Sequence, residues 1–277
     1  AAATFKRGIN FINIPTTLLA MVDAAVGGKT GINFGGLKNE VGAFANARYV
    51  IVNTCFLDTL DTANLCSGYA EMLKHSLISN AQMWAEHVNF DILQPDLAEL
   101  QRMVAASIAV KEHIVADDPH EHGIRKALNF GHTIGHALEE FSMQQPEGTV
   151  VSARLLPLAR ARTAPTKPTS QTPPGTLLHG YAVAFGLIGE LYISARKAGF
   201  PTARLHQTAR FIRENYGAVA FTCDDYPTLL NLMRHDKKNT SDTINFTLLH
   251  DIGDIRINQT ATDEEIREAL DFIREGY

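Results

Sequence analysis

Cysteine is scarce in this chain and is not arranged for bonding: Cys55, Cys66 and Cys223 stand far apart, with no CxxC pair among them. This excludes a disulfide framework and a thiolate zinc site, and it is the usage expected of a reducing, cytoplasmic compartment. No apolar run reaches the roughly 20 residues that span a bilayer, and the first residues lack the basic-then-apolar layout of a secretory signal, so no membrane partner is expected. An excess of one charge is missing too. With 25 Lys and Arg against 30 Asp and Glu, and a sequence pI of about 6.1, the chain has no broad electrostatic footprint for nucleic acid. What is present is 277 residues, 45% of them hydrophobic, enough for one large core or two modest ones.

The opening AAATFKRG passes from alanines to a basic pair and Gly8 and reads as the tail of a helix whose beginning lies outside the sequence. INFINIP is a short β-branched and aromatic run stopped by Pro15, which suits a strand. The segment VDAAVGGKTGINFGGLKNEVGAF carries six glycines and two lysines in 23 residues, a density that favours turns and close backbone approach to a ligand over regular structure. RYVIVNTCFLDTL is a second strand, followed by a helix start near Asp58 or Thr59. From Asp61 onward a 3.6-residue period dominates: SGYAEMLKHSLI, AQMWAEHV, DLAELQRMVAASIAVKEHIVADD, RKALNFGHTIGHALEEF, AVAFGLIGELYISARKAG and TARLHQTARFIRENYG. The expected fold is therefore an α/β domain over residues 1–60 followed by a mostly α-helical domain over 61–277, with a ligand cleft between them. Near the end, DTINFTLLHDIGDIRINQTA predicts a hairpin, and TDEEIREALDFIREGY a helix with Thr262 and Glu265 as a capping box. Residues 144–176, with six prolines and no sustained period, read as a loop or disordered insert.

Several groups can carry chemistry. His132 and His136 lie four apart, on one helical face, so both can bind a metal, or one can bind while the other acts as acid, base or substrate contact. GYAEMLKHS supplies Glu71, Lys74 and His75; Glu71 and Lys74 also suit an ordinary ion pair. His179 opens an apolar, small-residue helix. A carboxylate and two imidazoles from separate elements, with an open position, form one of the usual catalytic zinc sets. GGKTG at 27–31 lacks the spacer of a phosphate loop, which excludes nucleotide hydrolysis, although its amides and Lys29 can hold phosphate or a dinucleotide diphosphate. Lys38, Asn39, Lys111, Arg125, Lys237 and Lys238 make sense together only for a multiply anionic ligand.

These motifs resemble the 3-dehydroquinate synthases in nearly every segment outside 144–176: ATFKRG, IPTTLLAMVDAAVGGKTGIN, KNEVGAF, GYAEMLKH, AVKEHIV, GIRKALNFGHTIGHALE, LLHGYAVAFG and HDKKN. The resemblance implies a nicotinamide-binding α/β domain, lacking its first part here, followed by a helical metal domain, usually in a homodimer. It implies conversion of 3-deoxy-D-arabino-heptulosonate 7-phosphate to 3-dehydroquinate and phosphate by transient oxidation with NAD, phosphate elimination, re-reduction and aldol closure. By the same resemblance Glu71, His132 and His179 hold Zn2+, with Co2+ as a substitute. Asp23, Lys29, Lys38, Asn39, Lys74, Lys111, Arg125, Asn129, His136 and Lys237 line the substrate or move protons. Lys29, Lys38, Phe56 and Thr59 attend NAD, the last two near its nicotinamide or ribose. The substrate is a small phosphorylated sugar acid. Alternatives are another sugar phosphate cyclase such as a 2-deoxy-scyllo-inosose synthase, a glycerol-dehydrogenase-like oxidoreductase, or a truncated metal-binding remnant without catalysis. The chain departs from the family at Tyr181, where a glutamate is usual, and in the 144–176 insert ahead of His179.

Overall fold

Acceptor side chains ahead of apolar periodic runs set the helix starts. Asp61 accepts from the Asn64 amide to open α1, Thr62–Leu77, and Asn80 from Met83 to open α2, Ala81–Val88. Asp96 accepts from Ala98 and Glu99 at the head of α3, Leu97–Asp117. Each satisfies an amide that the first turn leaves unpaired. The protein is described here by a computed structural model covering residues 1–34, 37–145, 176–235 and 243–276, with backbone only at 33 and 37–40.

The segment RKALNFGHTIGHALEEF is not one helix. A 3-10 turn over Ile124–Asn129 ends at Phe130, Gly131 takes a left-handed φ of 80°, and α4 runs from His132 to Gln144. Gly131 therefore breaks the helix instead of weakening its interior, because a β-carbon is disfavoured at that φ. α5, His179–Lys197, is buried along most of its length, as expected of a helix apolar all round. α1, α4, α6 (Thr202–Tyr216), α8 (Asp263–Glu275) and strand β5 (Asn245–Asp251) pack around it. α8 has the expected capping box of Thr262 and Glu265. α7, Tyr226–His235, is a helix the sequence reading did not single out.

The first sixty residues differ from expectation in detail. The opening is turns and a 3-10 turn at Phe5–Arg7. The two expected strands are β1, Ile12–Asn13, and β4, Tyr49–Val50, a parallel pair. The glycine-rich segment, expected to avoid regular structure, is instead an antiparallel hairpin of β2, Lys29–Phe34, and β3, Leu37–Phe44, with a bulge between Ile32 and Phe34. Gly42 shows why glycine fits a strand here: a Cβ would stand 2.3 Å from the Thr30 carbonyl. The helix expected near Asp58 is a 3-10 turn at Thr54–Thr59, and α1 follows. β5 pairs with β6, Asp254–Thr260, as the expected hairpin. Among the described residues the strands make three separate two-stranded sheets.

Most of the expected insert, 146–175, lies outside the described residues. On either side of it the Leu177 amide donates to Ser142 Oγ at 3.1 Å.

Candidate functional site

Three helices bring a carboxylate and two imidazoles to one point. Glu71 stands mid-way along α1, His132 begins α4 and His179 begins α5. His132 Nε2 lies 3.3 Å and His179 Nε2 3.4 Å from Glu71 Oε1. The approach is possible because the α5 backbone touches α1: a Cβ at Gly180 would stand 1.8 Å from the Ser67 carbonyl oxygen, and the Gly180 amide donates to Ser67 Oγ at 3.0 Å.

The outer nitrogens of both rings are occupied. His132 Nδ1 faces the Phe130 carbonyl at 3.1 Å and His179 Nδ1 the Glu139 carboxylate at 3.0 Å. These partners accept, so each Nδ1 carries the proton and each Nε2 can present a lone pair inward. Glu71 is fully buried, and neither of its oxygens receives a sound hydrogen bond among the described residues, although Lys74 and the two rings lie against it. A buried carboxylate flanked by two imidazole Nε2 atoms, each able to offer a lone pair once deprotonated, suits a divalent cation. The ligand atoms of Glu71, His132 and His179 all lie within 4.8 Å of one another, and so do those of His136, Glu139 and His179 and those of Asp23, Glu71 and His75.

Electrostatics bind the cluster together. Burial works against the Glu71 charge, but Lys74 and His132 hold its carboxyl well below the ordinary range. Burial pushes His132 down to about 3. Burial also opposes charge on His179, yet Glu139 and Glu71 outweigh it and raise that ring to about 9, so an incoming cation would replace a proton there. Burial would raise Asp23, but Lys111 holds it at about 2, and the Lys111 ammonium, itself lowered by burial, donates to Asp23 Oδ1 at 2.6 Å.

The remaining residues singled out in the sequence divide into groups. Asp23, Lys74 and Lys111 are part of this cluster. His136 is one turn along α4 from His132, with ring centroids 5.2 Å from His132 and 5.9 Å from His179. Arg125 is buried and ties two loops, donating to Gly27 O at 2.9 Å and Pro119 O at 2.5 Å. Lys29 and Asn129 are joined through Glu121, which pairs with Lys29 and accepts from Asn129 Nδ2 at 2.6 Å. Phe56 and Thr59 stand on the 3-10 turn before α1, linked to one another by a hydrogen bond at 3.5 Å. The side chains of Lys38 and Asn39, and Lys237 altogether, lie outside the described residues. His75 is buried against Ser107 Oγ at 2.7 Å, its Nε2 without a partner among the described residues.

Two carboxylates that contact these side chains, Glu139 and Glu121, have no counterpart among the residues picked out in the sequence. Glu139 orients His179, and its position three residues after His136 is a usable signal for a helix-borne partner. Glu121 bridges Lys29 and Asn129 from a loop where its φ is 63°, and no spacing rule foretells that. Tyr181 packs edge-on against Tyr216, their ring centroids 5.1 Å apart.

The family model for the 3-dehydroquinate synthase N-terminal region matches residues 1–67, and that for the 3-dehydroquinate synthase C-terminal region matches 68–157 and 169–239. A 3-dehydroquinate synthase of Parabacteroides distasonis is 52% identical over 277 residues, all of this chain and 70% of that protein. One of Bacillus pumilus is 36% identical over 275 residues, 98% of this chain and 66% of its own length. The chain thus spans about two thirds of these relatives. Among solved structures, a 2-epi-5-epi-valiolone synthase from Streptomyces hygroscopicus with NAD+ and Zn2+ bound superposes with a TM-score of 0.74 at 23% identity, over 97% of this chain and 67% of that one. A 2-deoxy-scyllo-inosose synthase complexed with carbaglucose-6-phosphate, NAD+ and Co2+ gives 0.75 at 22%, over 97% and 68%. At these identities the structures establish a shared fold.

Proposed function

Because the chain belongs to the 3-dehydroquinate synthase family, we propose that it serves the conversion of 3-deoxy-D-arabino-heptulosonate 7-phosphate to 3-dehydroquinate and inorganic phosphate, with NAD and a divalent metal ion. Residues 1–60 are part of the nucleotide-binding domain and 61–277 form the metal- and substrate-binding domain. The observation that carries this reading is the meeting of buried Glu71 with the inner nitrogens of His132 and His179, beside a Lys74, Asp23 and Lys111 cluster.

Glu71, His132 and His179 are the metal ligands, Zn2+ or Co2+ being the ions this donor set suits. When bound, the metal supplies Lewis acidity toward substrate oxygens and NAD a reversible hydride acceptor. The chain's own groups supply orientation and charge. Lys29, Arg125 and Asn129, with Lys237, hold the phosphate and carboxylate, and Glu121 keeps Lys29 and Asn129 in place until the anion arrives. Lys38, Asn39 and Lys74 complete the polar lining, Lys74 resting against Glu71. The buried Asp23–Lys111 pair fixes a positive and a negative group at the cluster's edge, and His136 is placed to exchange a proton with substrate. Lys29 and Lys38 would also attend NAD, with Phe56, whose ring is exposed, and Thr59 as the residues that would sit near its nicotinamide or ribose. Water leaving such a site strengthens every one of these contacts.

The test is to follow phosphate release and carbocycle formation from the heptulosonate phosphate with the purified protein, with and without NAD and after chelation. Both products without net NADH are expected. Stoichiometric NADH accumulation, or equal turnover of a phosphorylated sugar lacking the carboxylate, would contradict the assignment.

A further inference from the structure

α4 begins without a cap of its own. Its N-cap is Gly131, which has no side chain to offer, so the first-turn amides need acceptors from elsewhere. Another helix provides them. Glu190, fully buried within α5, accepts from the Gly131 amide at 2.7 Å through Oε2, and from the Thr133 and Ile134 amides at 2.9 and 3.2 Å through Oε1. Three charge-assisted bonds at the positive end of a helix make a buried carboxylate tolerable.

The location of this cap matters more than its existence. A side chain on the loop ahead of α4 would stabilise that helix alone. Glu190 sits instead on α5, about three turns beyond His179, and it grips the residues on either side of His132. Both carboxylate oxygens are engaged, so the group cannot swivel without losing a bond. One turn earlier on α5, a Cβ at Gly186 would stand 1.9 Å from the Gly131 carbonyl oxygen, so the two backbones already touch and leave no slack between them. Thr133 Oγ1 donates to the Asn245 carbonyl at 3.0 Å, fastening the same turn to β5.

We propose that Glu190 is a positioning residue for the metal centre: by holding the amides that flank His132, it sets the height and rotation of that imidazole relative to His179 on its own helix. The proposal rests on the reading of Glu71, His132 and His179 as ligands.

The experiment uses Glu190→Gln, which keeps the shape but turns a donor toward an amide, and Glu190→Asp, which keeps the charge but withdraws it by one methylene. Ile193→Val, a buried change on the same helix that leaves the α4 amides alone, is the control for general loss of stability. Cobalt(II) is added to metal-depleted protein, its dissociation constant is read by competition with a chromophoric chelator, and its visible absorption bands are recorded. Amide hydrogen exchange at Thr133 and Ile134 is measured in the metal-depleted protein. In both Glu190 variants the dissociation constant should rise at least about tenfold, the cobalt bands should shift, and the two amides should exchange at least about tenfold faster. The control should move none of these, whatever its unfolding midpoint. Should Glu190→Gln fail to fold, Glu190→Asp decides. Wild-type cobalt affinity and bands in a folded Glu190 variant, or unaltered exchange at the two amides, overturn this proposal alone. A wild-type protein that takes up no cobalt overturns the ligand reading and this proposal with it.

Discussion

A carboxylate buried as deeply as Glu71 costs several kcal/mol unless something replaces the water around it. Lys74 and two imidazoles do so here, and the placement of those rings depends in turn on groups behind them. Glu139 is the clearest case. Glu139→Gln should leave the fold intact and weaken metal binding by about 10- to 100-fold, because the amide no longer holds the Nδ1 proton of His179 as a charge does. Chelator competition checks this, and an unchanged affinity would show that His179 needs no such support. Lys29 is a second case, half-exposed and paired with Glu121. Lys29→Met should raise KM for the heptulosonate phosphate by about 10-fold or more, the loss of one charge-assisted contact, with a smaller change in kcat. Steady-state kinetics separates the two, and an unaltered KM would remove Lys29 from the anion site.

At the scale of elements, the ligands meet because helix backbones touch. Gly180→Ala would drive a methyl group into the Ser67 carbonyl, and backbone cannot yield as a flexible side chain can. Destabilisation of about 1–3 kcal/mol or more is expected, with weakened metal binding, since α5 must move away from α1. Denaturant unfolding and metal titration of the same variant check both; a stable variant with full affinity would mean that the helices accommodate the methyl. The sequence revealed these helices through their apolar period, whereas the acceptors Asp61, Asn80 and Asp96 that open three of them came only with the structure. Nor did the sequence reveal where they pair. RKALNFGHTIGHALEEF keeps its period across Gly131, and only a left-handed φ there, invisible in a pattern, ends one segment and starts the next. The hairpin at Lys29–Phe44 was hidden for the opposite reason. Its glycines signal turns locally, while a cross-strand partner such as Gly31 opposite Gly42 is a tertiary fact. The identities of Glu71, His132 and His179 were legible as motif residues, whereas Glu139, Glu121 and Glu190 act across the fold from positions with no local signature.

On the scale of the whole molecule, stability should depend on pH through buried neutral histidine. His87 lies in α2 with Nδ1 2.7 Å from the Met83 carbonyl and Nε2 buried without a partner among the described residues. Burial lowers it from 6.5 to about 4, with Glu86 and Arg102 acting in opposite directions. The unfolded chain therefore binds the proton more readily, so this stabilisation is complete above about pH 6.5 and is lost as the pH falls toward 4, by on the order of 3 kcal/mol. Trp84, the only tryptophan, is buried on the same helix and bonded to Thr208 of α6, and its fluorescence reports unfolding. His87→Phe should flatten the fall in stability between pH 6.5 and 4, and an equally steep fall would locate the acid sensitivity elsewhere. The central claim, that residues 71, 132 and 179 serve one cation, is tested most directly by measuring bound metal in the wild-type protein and in Glu71→Gln, His132→Ala and His179→Ala under one set of conditions. A single ion per wild-type chain and its loss from each of the three variants is the predicted result; wild-type metal content in any one of them would contradict it.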